Sequence, residues 1–133
     1  MKSLLVMISL FAFWPFGGGK NFRMTPSPEV PGAHGTVNVK RDKTNGNTQL
    51  DIKVKNLASP ATLTPPENVY IVWVEPRTGD AEKEGVIRVG GNEQGELSAT
   101  TTARQFKVSI TAEKSESVNT PSGMQVLYAQ VNP

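Results

Sequence analysis

The sequence predicts an all-β protein: an antiparallel, immunoglobulin-like β-sandwich of about seven strands, preceded by a signal-like leader and a Pro/Gly-rich arm. Three observations predict it. From residue 36 onward, apolar residues recur at every second position in one segment after another. Gly, Pro, Asn and Ser cluster between these segments at short intervals. No helical period appears after residue 20. Half-apolar strands of this kind bury their greasy side when two sheets face each other, whereas one open sheet would leave Ile52, Trp73 and Ile110 in water.

In chain order, residues 1–19 form the leader. Met1-Lys2-Ser3 sets one positive charge ahead of Leu4 to Phe16, an apolar run broken only by Ser9 and Pro15. This is the layout of a secretory signal. The run falls short of the ~20 apolar residues needed to cross a bilayer. Gly17 and Gly19 are small enough for a peptidase to cut after Gly19, although an Ala-x-Ala pattern is missing. The expected address is therefore extracytoplasmic, with Leu4–Phe16 removed or, uncleaved, attaching the chain to a membrane; a cytosolic helix or a miscalled start is the remaining alternative. Residues 20–35 carry Pro26, Pro28, Pro31, Gly32 and Gly35 with little apolar material, so they are expected to be a flexible arm.

The sandwich domain is expected over 36–133. Val37 and Val39 alternate with Asn38 and Lys40, and Leu50, Ile52 and Val54 alternate with Asp51, Lys53 and Lys55. Thr44-Asn45-Gly46-Asn47 between them tolerates the positive φ of a tight turn, so the pair reads as a hairpin. Leu57 to Asn68, with Pro60, Pro65 and Pro66, reads as a crossover. Val69 to Val74 is apolar on both faces and belongs in the middle of a sheet. Pro76 lacks the N–H a ladder needs, so that strand ends near Glu75, and Arg77 to Glu84 is expected as a solvated turn. A short strand follows at Val86 to Val89, then a turn at Gly90, Gly91 and Gly95, then a strand in which Leu97 and Ala99 alternate with Ser98 and Thr100. Phe106, Val108, Ile110 and Ala112 share one face of the next strand and are expected in the core; Lys107, Ser109, Thr111 and Glu113 share the other and are expected in solvent. Lys114 to Gly123 is a polar loop, and Met124 to Val131 is the last strand.

Composition narrows the function classes. At 133 residues, with 37% hydrophobic and 20% charged residues, the chain suffices for one folded domain. Its net charge of +2 is spread from Lys2 to Lys114, which disfavours nucleic acid as a partner. The absence of cysteine removes disulfides, thiol catalysis and Cys-based metal sites. His34, the single histidine, sits in the arm without an orienting partner, and copper or zinc would need more nitrogen or sulfur ligands. Asp80, Glu82 and Glu84 fit no calcium-loop spacing and read as a solvated turn. Ser and Thr are abundant, but neither Gly-x-Ser-x-Gly nor Ser-x-x-Lys occurs. No catalytic residue, metal or cofactor is expected. Trp73, Tyr70 and Tyr128 are the candidate binding aromatics for a carbohydrate or peptide, with a core role favoured for Trp73 and Tyr70.

Five motifs carry a family resemblance. Tyr70-Ile71-Val72-Trp73-Val74, Gly85-Val86-Ile87, Gly95-Glu96-Leu97-Ser98, Phe106 through Glu113, and Pro121-Ser122-Gly123 before Val126-Leu127-Tyr128 follow one another in order. The stretch from about residue 69 to 128 resembles the extracytoplasmic C-terminal domain of anti-sigma-K factors. The resemblance implies a β-sandwich outside the membrane that acts by contact with an envelope or extracellular protein. In that family a transmembrane helix joins the domain to a cytoplasmic segment that holds the sigma factor. Nothing before residue 35 has the pattern of such a segment, so the resemblance implies the outer module alone and brings no catalytic residues.

Overall fold

Alternation decides which residues turn inward, and register decides which of them meet. The computed structural model describes residues 19–132, and among them the chain forms nine strands and no α-helix. The strands are β1 (Lys20–Arg23), β2 (Thr25–Pro26), β3 (His34–Arg41), β4 (Thr48–Lys55), β5 (Val69–Pro76), β6 (Glu82–Ile87), β7 (Gly95–Thr101), β8 (Phe106–Glu113) and β9 (Met124–Val131). They make a four-stranded sheet in the order β1-β3-β4-β7 and a five-stranded sheet in the order β2-β9-β8-β5-β6. Every pairing is antiparallel.

The two sheets enclose one core. Val37 and Val39 from β3 and Leu50, Ile52 and Val54 from β4 meet Tyr70, Val72, Val74, Phe106, Val108, Ile110, Ala112 and Leu127 from the five-stranded sheet. The β3–β4 hairpin pairs Val37 with Ile52 and Val39 with Leu50, as the sequence predicts. Around the turn, Gly46 takes φ +76°, and its N–H donates to the Asp42 carbonyl. The crossover contains a single 3-10 turn at Pro60–Thr62. Leu57 and Leu63, on either side of it, are buried in the core.

Nine strands replace the expected seven because residues 20–35 are not a loose arm. β1 pairs with β3 over Lys20–Arg23, and β2 pairs with β9, so the segment crosses from one sheet to the other at Met24. The Met24 N–H donates to the Gly35 carbonyl at 2.8 Å, and the Ser27 N–H donates to the Val126 carbonyl at 2.9 Å. Met24, Val30 and Ala33 are buried. Backbone hydrogen bonds to strands that already exist, plus three inward side chains, order a segment whose own composition is too polar to form a core. One strand also starts and stops elsewhere than expected: β6 begins at Glu82, inside the expected solvated turn, and ends at Ile87 rather than Val89.

Two bulges shape the five-stranded sheet. Val72 pairs with Gly85 and Trp73 with Lys83, which leaves Glu84 as an extra residue on β6. Ile110 pairs with Leu127 and Thr111 with Gln125, which leaves Val126 as an extra residue on β9. Gly85 takes φ +151°, a backbone region that suits glycine. Of the leader, expected over residues 1–19, residues 1–18 lie outside the described residues.

Candidate contact surface

The outward face of the five-stranded sheet is the least ordinary part of the molecule. Strand pairing sets Lys83, Trp73, Ser109, Tyr128 and Thr25 side by side in one row across β6, β5, β8, β9 and β2. Along this row the face passes from covered, at Trp73 and Ser109, to open, at Tyr128.

The covered half holds Ile71, Trp73, Thr111 and Glu113, all nearly inaccessible to water. The expected solvent face of β8 is thus mostly buried, with only Lys107 partly exposed. The reason is the loop between β8 and β9, which folds back against the sheet. Lys83 donates from its ammonium to the carbonyls of Glu116 and Val118, and Arg88 pairs with the Glu116 carboxylate at 3.1 Å. At the loop's far end, Ser122 and Gly123 each donate a backbone N–H to Glu113 Oε2 at 3.1 Å, and Ser122 Oγ donates to Oε1 at 2.8 Å.

Glu113 is the hub of this closure. Besides the three loop donors it accepts the Thr111 hydroxyl proton at 2.6 Å, and Thr111 Oγ1 in turn accepts the Trp73 indole N–H at 2.8 Å. Burial pushes the carboxyl upward, but the bonds from Thr111, Gly123 and Ser122 outweigh it and hold the group below its ordinary range. A buried carboxylate is tolerated because fixed donors surround it. Gly123 is required here by close approach: a Cβ at this position would fall on the Ala112 carbonyl oxygen.

Tyr128 dominates the open half and, at 38% exposure, is the large hydrophobic residue most open to solvent among the described residues. The Lys107 ammonium lies 5.6 Å from its ring centroid, within range of a cation–π contact. Lys107 also approaches Glu75 at 4.0 Å, and Glu75 accepts the Ser109 hydroxyl proton at 2.6 Å. Gln130 donates to the Phe106 carbonyl at 3.1 Å. These interactions fix the polar neighbours of an accessible aromatic ring.

The three candidate aromatics therefore part company. Tyr70 points into the core, where its hydroxyl donates to the Ala58 carbonyl at 2.6 Å and burial pushes the phenol up to about 12. Trp73 lies on the outward face but beneath the loop, with no accessible surface. Neither is open to solvent; of the three, only Tyr128 is exposed. His34 opens β3 opposite Lys55 rather than lying in a loose approach. Of the acidic trio, Glu82 accepts from the Thr101 hydroxyl at 2.9 Å, and Glu84, on its bulge, is pushed up to about 7 by burial and then by the nearby Glu82 charge. Among the described residues no three metal-ligating side chains converge.

Sequence reasoning missed Glu113. Its signal was a carboxylate closing a β-strand, with a Ser-Gly pair nine residues downstream able to bring two N–H groups back to it. No protein-family model matches this chain, and no curated protein matches it.

Proposed function

We propose that this chain is an exported or envelope-attached, non-catalytic sandwich of immunoglobulin-like order that works by protein contact through the Tyr128 face. The observation that carries the proposal is the accessible Tyr128 ring with Lys107 and Glu75 held beside it. Aromatic side chains with fixed polar neighbours are the usual anchors of protein interfaces. The leader pattern of residues 1–19 supports the extracytoplasmic address. The strand order supports the immunoglobulin-like assignment: β3-β4-β7 facing β9-β8-β5-β6 corresponds to A-B-E facing G-F-C-C′, with β1 and β2 added along both sheets. The buried tryptophan of β5 departs from that scheme by turning away from the inter-sheet core. The resemblance over residues 69–128 to the outer domain of anti-sigma-K factors supports a sensor-like or accessory role.

The test uses the full chain produced in a host with an intact envelope. Fractionation with sequencing of the mature N-terminus is expected to find it outside the cytoplasm, and a full-length cytosolic protein would refute the address. Cross-linking in the same cells is expected to join the Tyr128 face to an envelope protein and to lose that product in Tyr128→Ala. Because the ring is exposed, it also suits a sugar or peptide ligand. Saturable quenching of Tyr128 by one member of a glycan panel, without a cross-linked protein, would replace protein contact with that reading.

A further inference from the structure

The opposite face of the sandwich carries a second, independent feature. On the outward side of the four-stranded sheet, Arg23, Thr36, Lys53 and Glu96 form one row across β1, β3, β4 and β7, and His34 with Lys55 forms the next. With strands ~4.8 Å apart, Arg23 and Lys53 stand about 10 Å from each other across β3. Together with His34, Thr36 and Lys55 they line a shallow concavity of about 420 Å3. None of the ion pairs among the described residues involves Arg23, Lys53 or Lys55. Glu96 brings one carboxylate to the rim beside Lys53, so the basic end keeps an excess of positive charge.

A second concavity of about 450 Å3 continues from the first and shares Thr36 and Lys53 with it. It is lined further by Asn21, Asn38 and Asp51 of the neighbouring row, which Ser98 ends, and by Glu96 beside Lys53. Asn38 donates its amide to Asn21 Oδ1 at 2.9 Å, and the Ser98 hydroxyl donates to Asp51 at 2.6 Å. The groove therefore runs from cations outside any ion pair to two amides and the carboxylates of Asp51 and Glu96.

We propose that this groove binds an acidic polysaccharide, with its anionic groups on Arg23, Lys53 and Lys55 and its ring hydroxyls on the Asn38 and Asp51 row. Charge complementarity selects an anion at one end. The polar row selects neighbouring groups that both donate and accept hydrogen bonds, as sugar hydroxyls do. A protein partner would want an apolar or aromatic centre, which this lining lacks. Nucleic acid would want cations along the whole groove rather than at one end.

The test is calorimetric titration of the full chain with a galacturonate oligomer, a neutral glucose oligomer of equal length and polyglutamate. Binding of the galacturonate oligomer is expected to be tightest, and to weaken when salt rises from about 0.1 to about 1 M, shortening the screening length from ~10 to ~3 Å. Arg23→Gln and Lys53→Gln are each expected to weaken it, by up to about fivefold, the upper end for an exposed charge pair. Lys107→Gln and Lys114→Gln, which remove charge elsewhere, are expected to leave it unchanged, as is Tyr128→Ala, so this reading and the contact reading fail separately. Both groove substitutions are on exposed side chains, and an unchanged melting curve verifies the fold. Absence of galacturonate binding at low salt, equal binding by polyglutamate or the neutral oligomer, or full binding by the Arg23→Gln, Lys53→Gln double variant would overturn the proposal.

Discussion

Replacing Glu113 should do more damage than its place on an outward strand face suggests. The carboxylate satisfies two backbone N–H groups, those of Ser122 and Gly123, which cannot swing to other partners as hydroxyls can. An orphaned buried donor costs ~1–3 kcal/mol, and these two are only partly buried, with Ser122 itself exposed, so Glu113→Ala, which orphans both, should cost about 2–3 kcal/mol. Glu113→Gln keeps the volume and one acceptor oxygen but loses the charge and turns an NH2 toward donors, for a cost of ~2 kcal/mol. The pH dependence separates this account from simple loss of packing. Because the folded group titrates below its ordinary value of 4.5, its contribution is complete above that value and is lost as pH falls through the folded pKa. Urea melts of the wild type and Glu113→Gln should therefore lie far apart at about pH 7 and converge toward about pH 3. A gap unchanged between those two conditions, or a cost below ~1 kcal/mol for Glu113→Ala, would refute the hydrogen-bonded hub.

Three further outcomes follow from the same geometry. Trp73→Ala should destabilise by ~3–5 kcal/mol in a thermal or chemical melt, because it empties a fully buried indole site, whereas Trp73→Phe, losing mainly the bond to Thr111, should cost ~1–2 kcal/mol. Gly123→Ala should loosen the β8–β9 loop, since its Cβ needs the space of the Ala112 carbonyl; faster amide exchange at Ser122 is the readout, and native exchange would contradict the close approach. Glu84 has its folded pKa raised to about 7 from 4.5, so the native state holds this proton more tightly and stability declines as pH rises between those values. Glu84→Gln should remove that decline, gaining up to ~1 kcal/mol over the wild type at about pH 8 after allowance for solvent screening; equal pH profiles in the two proteins would count against the shift.

The parts of the fold legible in the sequence are those where burial alone sets the pattern. Leu50, Ile52 and Val54 point inward because alternation lets nothing else, and Val69 to Val74 is central because both its faces are apolar. β1 and β2 were illegible for a complementary reason: four residues and two residues are too short for a period, and what places them is hydrogen bonding to β3 and β9, partners a local pattern does not contain. The outward face of β8 misled because Ser109, Thr111 and Glu113 are polar whether they meet water or one another. Of the contact surface, Tyr128 was visible only as a candidate aromatic in the last strand. Its isolation from Trp73 was not, since the two share a row and differ only in whether a loop closes over them.

The division of that face into a closed half and an open half underlies both the stability and the contact readings. Hydroxyl-radical footprinting of the native full chain, read residue by residue by mass spectrometry, measures it directly. Tyr128 should be oxidised rapidly while Trp73 and Tyr70 stay protected until the chain unfolds as a whole. Oxidation of Trp73 at the rate of Tyr128 in the folded protein would mean that the loop does not cover it, and the account would fail.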